Sequence, residues 1–197
     1  MRHSRLTLLF VCAWLAGCAL PQALPEANNL QTPANAVVVI GKFELVPPFN
    51  SELEQETHWN IVGDGQILNQ FAMATARAPQ PVNTDQFAMK EWRTYIDAQW
   101  GKPFAVEARR QTTYLNGGMT QLDLMSQDRL WFPSQLYFEA PDDAAAVYIG
   151  TLRYTRNDFN RIVKVEVIDE YSQTVAELGP QYGVAGAVQK SLLKPVD

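Results

Sequence analysis

The sequence predicts a mainly β domain, a sandwich of two sheets carrying one or two helices. Three observations point there. Ala36 to Val46 (AVVVIGKFELV) is rich in β-branched residues, Ala146 to Arg156 (AVYIGTLRYTR) and Ile162 to Ile168 (IVKVEVI) alternate apolar and polar positions, and turn signals separate such runs. Strand-sized segments recurring about every 10 to 15 residues are the spacing of a sandwich rather than of a helical bundle. Composition agrees. The chain has 197 residues, 47% hydrophobic and 19% charged with a net charge of −5, which excludes disordered, collagen-like and coiled-coil classes. A net negative charge also argues against a nucleic-acid partner, which selects for a basic face.

Taken in order, the apolar run Val37–Ile40 predicts a strand covered on both faces, and Lys42-Phe43-Glu44-Leu45 predicts one covered on a single face. Pro47-Pro48 stops that strand. His58–Val62 and Gln66–Thr75 are weaker strands around Gly63-Asp64-Gly65, and Ala78–Val82 (APQPV) is a second proline break. Asp85 to Trp100 spaces Met89, Trp92, Ile96 and Trp100 as a helix would, with Asn83 or Thr84 as cap and Gly101 and Pro103 as stop. Phe104–Arg110 leads into Thr112–Leu115, which with Met119–Leu124 flanks Asn116-Gly117. That dipeptide suits the positive-φ positions of a type I′ turn, so a hairpin tip is expected there. Leu130–Ala140, broken by Pro133, reads as an edge or bulged strand. In Ile162–Ile168, Ile162, Lys164 and Glu166 should point one way and Val163, Val165 and Val167 the other. Asp169–Leu178 reads as a short helix ended by Gly179-Pro180, and Val184–Leu193 fits no element. The sandwich expected is immunoglobulin-like or transthyretin-like, a single domain over residues 36–197.

The leader bears on location. Arg2 and Arg5 precede an apolar stretch, Leu6–Ala16, of 11 residues. A bilayer span needs roughly 20, so this is a signal peptide rather than a membrane helix. It ends in Leu15-Ala16-Gly17-Cys18, which resembles the lipobox of bacterial lipoproteins. The resemblance covers the leader alone. It implies a signal peptide over residues 1–17, diacylglycerol on the Cys18 thiol, cleavage before Cys18 and acylation of the new amine. Three acyl chains make attachment effectively permanent, because each buried methylene contributes about 0.8 kcal/mol. Ala19 and Leu20 follow the cysteine where an aspartate would mark retention in the inner membrane. The resemblance therefore implies the outer membrane, facing the periplasm. Residues 18–35, with Pro21, Pro25 and Pro33, form a tether whose Ala19–Asn35 stretch spans roughly 55–60 Å if extended. Cys12 leaves with the leader and Cys18 carries lipid, so core burial alone must hold the domain.

Few residues suggest chemistry. His58 is the sole histidine after the leader, no G-x-S-x-G elbow accompanies it, and a lone histidine at a strand start is ordinarily a packing residue. Zinc needs about four Cys or His ligands, and one histidine does not supply them. Asp142-Asp143 and Glu52, Glu54 and Glu56 offer oxygens for calcium but lack the EF-hand pattern and read as solvated loops. Ser191-x-x-Lys194 matches the S-x-x-K string of penicillin-recognising enzymes without its partner motifs, a chance match. Gly63-Asp64-Gly65 falls short of a phosphate loop. Trp59, Trp92, Trp100, Trp131, Tyr114, Tyr137 and Tyr148 would form a glycan or peptide platform if exposed, and core if buried. Arg109, Arg110, Arg153, Arg156 and Arg161 read as solvent-facing charges. The expectation is a non-enzymatic accessory protein, without cofactor or metal, that binds another envelope protein. A glycan- or peptide-binding module and a carboxylate-based hydrolase are the alternatives.

Cys18→Ser should abolish lipid attachment, since a serine hydroxyl does not replace the thiolate as acceptor. Labelled fatty acid should enter the wild-type chain and not the variant, and the variant should leave the detergent phase; a fully labelled variant contradicts the reading.

Overall fold

The structure, a computed structural model, describes residues 35–50, 68–80, 94–122, 129–182 and 188–196, and of residues 179–182 the backbone only. Two sheets pack face to face as an open β-sandwich. The first is built from β1 (Ala36–Val46), β4 (Pro103–Arg109), β8 (Ala146–Arg156), β9 (Ile162–Ile168) and β10 (Val188–Lys190). The second contains β2 (Gln70–Ala76), β3 (Tyr95–Gln99), β5 (Thr113–Gln121), β6 (Arg129–Phe132), β7 (Leu136–Phe138) and β11 (Lys194–Pro195). A helix, α1 (Tyr171–Tyr182), lies on the outer face of the first sheet.

Strand β1 sits inside its sheet, antiparallel to β4 and parallel to β8. Its residues face two cores. Val37, Val39, Phe43 and Leu45 enter the interior between the sheets, whereas Val38 and Ile40 meet Val175 and Leu178 of α1 on the other side. Beyond the helix, Lys42 and Glu44 turn the same outer face polar. This is the switch from continuous apolar run to alternation that the sequence displays.

The interior is bridged by rings from both sheets. Phe43 of β1 meets Phe71 of β2 edge-on at 4.8 Å and stacks on Phe104 of β4 at 4.8 Å. Phe132 of β6 lies 5.2 Å from Tyr154 of β8 and 4.8 Å from Trp100. The Trp100 Nε1–H donates to Thr120 Oγ1 at 2.9 Å, so the half-buried indole packs on the interior with its polar atom satisfied.

Four expectations are corrected. Residues 95–99 are a strand, not the end of a helix. Ile96 and Ala98 point inward and pair with Met73 and Phe71, while Asp97 and Gln99 are exposed, so a period of two outweighs the wider apolar spacing. Residues 85–93 of that expected helix lie outside the described residues.

Asn116-Gly117 is no hairpin tip either. Strand β5 runs straight through it, with one extra residue opposite β2 between Leu115 and Gly118, which is a β-bulge. Gly117 supplies the positive φ of +124° and lies under the Trp131 ring, while Gly118 lies under Phe71. Asn116 is buried, accepting from the Gln80 N–H at 3.2 Å and donating to the Ala78 carbonyl at 3.3 Å. An Asn-Gly pair serves a bulge as readily as a turn, and these two aromatic rings decide between them.

The alternation expected along Ile162–Ile168 fails at Val163. Lys164 pairs with Thr155 but Ile162 with Arg156, so Val163 is an extra residue; Ile162 and Val167 both reach the interior, and Val163 is 60% exposed. Helix α1 matches the expected second helix but continues past Gly179-Pro180 to Tyr182. In the last turn Pro180 lacks the N–H that would bond to the Ala176 carbonyl. Of the unplaced stretch Val184–Leu193, residues 184–187 lie outside the described residues, and the rest forms β10 alongside β8 and leads to β11 alongside β7.

Gly117→Val should destabilise the domain by at least 2 kcal/mol, a rough figure combining about 1–3 kcal/mol of backbone strain with a Cβ placed 2.2 Å from Trp131. Gly101→Ala, at φ +72° with open space around it, should cost only about 1–2 kcal/mol. Urea midpoints of the two variants measure the difference, and equal losses would mean that the Trp131 contact has been misjudged.

Candidate protein-docking surface

The hairpin of β8 and β9 closes through Asn157 to Arg161. The Asn157 Oδ1 accepts from the N–H groups of Phe159 and Arg161, each at 3.0 Å, and the Asn157 N–H donates to the Arg161 carbonyl at 3.0 Å. Asn160 takes the left-handed conformation that asparagine tolerates, φ +57°. From below, Arg156 fixes this tip to the end of β1. Its guanidinium donates to the carbonyls of Pro47 (3.0 Å) and Pro48 (2.8 Å), contacts Asn160 Oδ1, and lies 4.5 Å over the Phe49 ring.

On this braced loop Phe159 is 83% exposed. Among the described residues, the other exposed large apolar side chains are Val46, Val163 and Val165. All four lie at one end of the first sheet: Val46 pairs with Thr155, whose neighbour on its other side is Lys164, between the two valines. Val46 shares the outer face with Thr155, whereas Val165, opposite the buried Tyr154, faces the other side at the sheet's edge. Scattered single apolar residues on a surface are ordinary, whereas exposed apolar side chains concentrated at one end of a sheet, around a hydrogen-bonded tip, mark a place for contact.

An ionic cluster lies beside Val46 on the outer face. Lys42 and Glu44 of β1, Thr151 and Arg153 of β8, and Glu170 just before α1 meet there. Glu170 Oε2 lies 2.5 Å from Lys42 Nζ and accepts from Thr151 Oγ1 at 2.7 Å. Arg153 pairs with Glu44 and lies 3.9 Å from Glu170. The Lys42 ammonium holds the Glu170 carboxyl below the usual carboxylate range, and burial opposes this only in part. Glu44 beside Arg153 raises the guanidinium's affinity for its proton. The Glu170 N–H also donates to the Tyr148 hydroxyl at 2.8 Å. Next to it, Asp169 accepts from the Tyr171 N–H at 3.1 Å as a helix cap and pairs with Lys190 at 2.7 Å, which holds its carboxyl low. A carboxyl kept ionised in this way is a poor proton donor near neutral pH. The cluster anchors the start of α1 to the sheet.

The candidate residues fall as follows. Arg153 and Arg156 are structural anchors rather than solvent-facing charges, and so is Arg110, which donates to the carbonyls of Pro141 (2.5 Å) and Ala36 (3.0 Å). Only a fold that brings carbonyls or carboxylates from distant segments to each guanidinium reveals this. Arg109 and Arg161 are exposed. The Ser191 hydroxyl donates to the Glu139 carbonyl, and Lys194 pairs with the Glu139 carboxylate at 2.9 Å, so both tie the C-terminal segment to the strand β7 side. Asp142 and Asp143 are exposed, with Asp143 accepting from Gln189 at 3.3 Å. Tyr148 is fully buried, Trp100 packs on the interior, and Trp131 is half-buried over Gly117. Tyr114 and Tyr137 form a half-buried pair 5.7 Å apart on the outer face of the second sheet. Cys18, Glu52, Glu54, Glu56, His58, Trp59, Gly63 to Gly65 and Trp92 lie outside the described residues. Phe159 and its asparagine-braced loop escaped the sequence reading, although Asn-Asp-Phe-Asn between two alternating strands is a legible turn carrying an apolar tip. Among the described residues no helix is long and apolar enough to cross a membrane, and none of their acidic, His or Cys side chains gather in threes as metal ligands would.

Comparison with protein-family models, with curated proteins and with solved structures finds no match.

Glu170→Gln should lower stability at pH 7 by about 1–3 kcal/mol, because a largely buried Lys42 loses its counter-charge. The folded pKa of Glu170 is depressed, so its contribution is complete above the unfolded value near 4.5 and is lost as pH falls through the folded value. Urea melts at pH 7 and pH 3 should therefore show a large gap between wild type and variant at the first pH and a smaller one at the second. A gap that is the same at both contradicts the pairing.

Proposed function

We propose that the chain is a lipid-anchored lipoprotein of the bacterial cell envelope, held at the outer membrane and facing the periplasm, with a non-enzymatic adaptor domain that docks another envelope protein through the Phe159 hairpin. The observation that carries the docking reading is Phe159, 83% exposed on a braced hairpin tip, with Val163 and Val165 on the same hairpin and Val46 at the adjoining end of β1. A rigid loop presents its aromatic side chain without the entropy cost of ordering it on binding, which suits an anchor that fills a partner's apolar pocket. Cys18 and the proline-bearing tether support the location: three acyl chains hold the domain at the membrane, and the tether lets it search the adjoining layer. Confinement to that layer raises effective concentration, so a modest interface suffices. A second reading, a glycan- or peptide-binding module, is favoured by the Tyr114–Tyr137 pair, with the Lys194 ammonium 5.7 Å from the Tyr137 ring.

Cross-linking in intact cells followed by mass spectrometry tests the adaptor reading. A recurrent protein partner should be recovered with the wild-type chain and with His58→Ala, and at least tenfold less of it with Phe159→Asp, a loss expected of a central aromatic anchor at roughly 2 kcal/mol or more. Unchanged recovery with Phe159→Asp moves the interface elsewhere. No partner, together with saturable binding of peptidoglycan fragments that Tyr137→Ala abolishes, selects the second reading.

A further inference from the structure

Strand β9 is an edge. It pairs with β8 on one side, and among the described residues no strand pairs with the other. An open strand edge carries unpaired N–H and C=O groups and is a template for another strand. The sequence along this edge is Ile162-Val163-Lys164-Val165-Glu166-Val167-Ile168, a palindrome except that lysine on one side of Val165 answers glutamate on the other.

We infer that β9 pairs antiparallel with β9 of a second copy of this chain, about a two-fold axis through Val165. In that register Lys164 of each copy stands opposite Glu166 of the other, and Val163 opposite Val167. Lys164 and Glu166 already share a face, since within one chain their charges lie 2.7 Å apart. Directly opposed residues of an antiparallel pair point to the same side, so both cross-strand ion pairs form on the outer face together. Neighbouring registers are disfavoured by the same residues. Centring the axis on Lys164 sets lysine against lysine, and centring it on Glu166 sets glutamate against glutamate. A shift by one position turns one copy's outer face to the other's inner face. The charges that would keep a wrong strand away thus admit this one. A self-complementary patch is what a two-fold interface requires, and pairing joins two five-stranded sheets into one while covering Val163 and Val165, 60% and 38% exposed in the single chain. The pairing covers two of the four apolar residues named for the adaptor contact, Val163 and Val165, and leaves that contact to Phe159, which lies in the loop outside the paired segment, and to Val46.

The test is charge exchange in the full-length chain, purified in detergent, with the protein mass read by multi-angle light scattering. Wild type should have the mass of two chains. Lys164→Glu and Glu166→Lys, each placing like charges opposite one another twice, should raise the dissociation constant by about tenfold or more and give single chains. Mixed in equal amounts, the two single variants should form a heterodimer, since every opposed pair is then complementary, and the double exchange Lys164→Glu/Glu166→Lys should restore self-association. Recovery on mixing separates lost pairing from lost folding, which mixing does not repair. Single-chain mass for the wild type at about 100 μM, or a dimer that persists in both single variants, overturns the inference.

Discussion

The architecture depends on one constraint: β1 must be covered on both faces at once. Val37 and Val39 enter the interior between the sheets while Val38 and Ile40 face helix α1, and β4 and β8 take the backbone hydrogen bonds on either side. No disulfide is open to the described domain, because Cys12 and Cys18 both precede it. Burial and pairing around this strand therefore supply the cohesion that a staple would otherwise provide. The helix follows from the same constraint, since an uncovered Val38 and Ile40 would leave an apolar stripe on the outer face.

Where β1 turns from apolar to alternating, the outer face turns from helix-covered to ionic, and the bulges make the change possible. Tyr148 pairs with Ile40 but Thr151 with Lys42, so β8 carries an extra residue at the positive-φ Gly150. Before it, Ala146 and Tyr148 face α1; after it, Thr151 and Arg153 face the ionic cluster while Leu152 and Tyr154 enter the interior. The second bulge, at Val163, puts an apolar residue on the surface beside the edge of β9. Glu170 then closes the arrangement, binding Lys42 and Thr151 through its carboxylate and Tyr148 through its N–H, so the start of α1 is placed relative to the hairpin that bears Phe159.

Much of this fold is legible in the sequence because period and burial agree. The run VVVI reads as doubly covered and is, and β8 and β9 have the expected bounds. What failed did so where long-range contacts choose between locally equivalent options. Asn116-Gly117 satisfies the dihedral demands of a turn and of a bulge alike, and only the rings of Trp131 and Phe71 against Gly117 and Gly118 select the bulge. Tyr95–Gln99 satisfies two periods, and pairing with β2 selects the shorter. The arginines were misread for the same reason: a guanidinium's partners at Pro47, Pro48 or Pro141 are remote in sequence, whereas its charge is local. The Phe159 tip was readable as a turn, but that its phenylalanine stays outside is a fact of packing.

The central claim is that β1 opens only when the whole domain unfolds. Native-state hydrogen exchange of the backbone amides measures this directly, because each amide reports the free energy of the opening that exposes it. The amides of β1 between Val38 and Phe43 should exchange only through global unfolding, with the same free energy as those of Val147 to Leu152 in β8, while the Asn157 to Arg161 loop exchanges through smaller openings. Exchange of the β1 amides at a lower free energy than β8, with the rest of the sandwich still protected, would contradict the account.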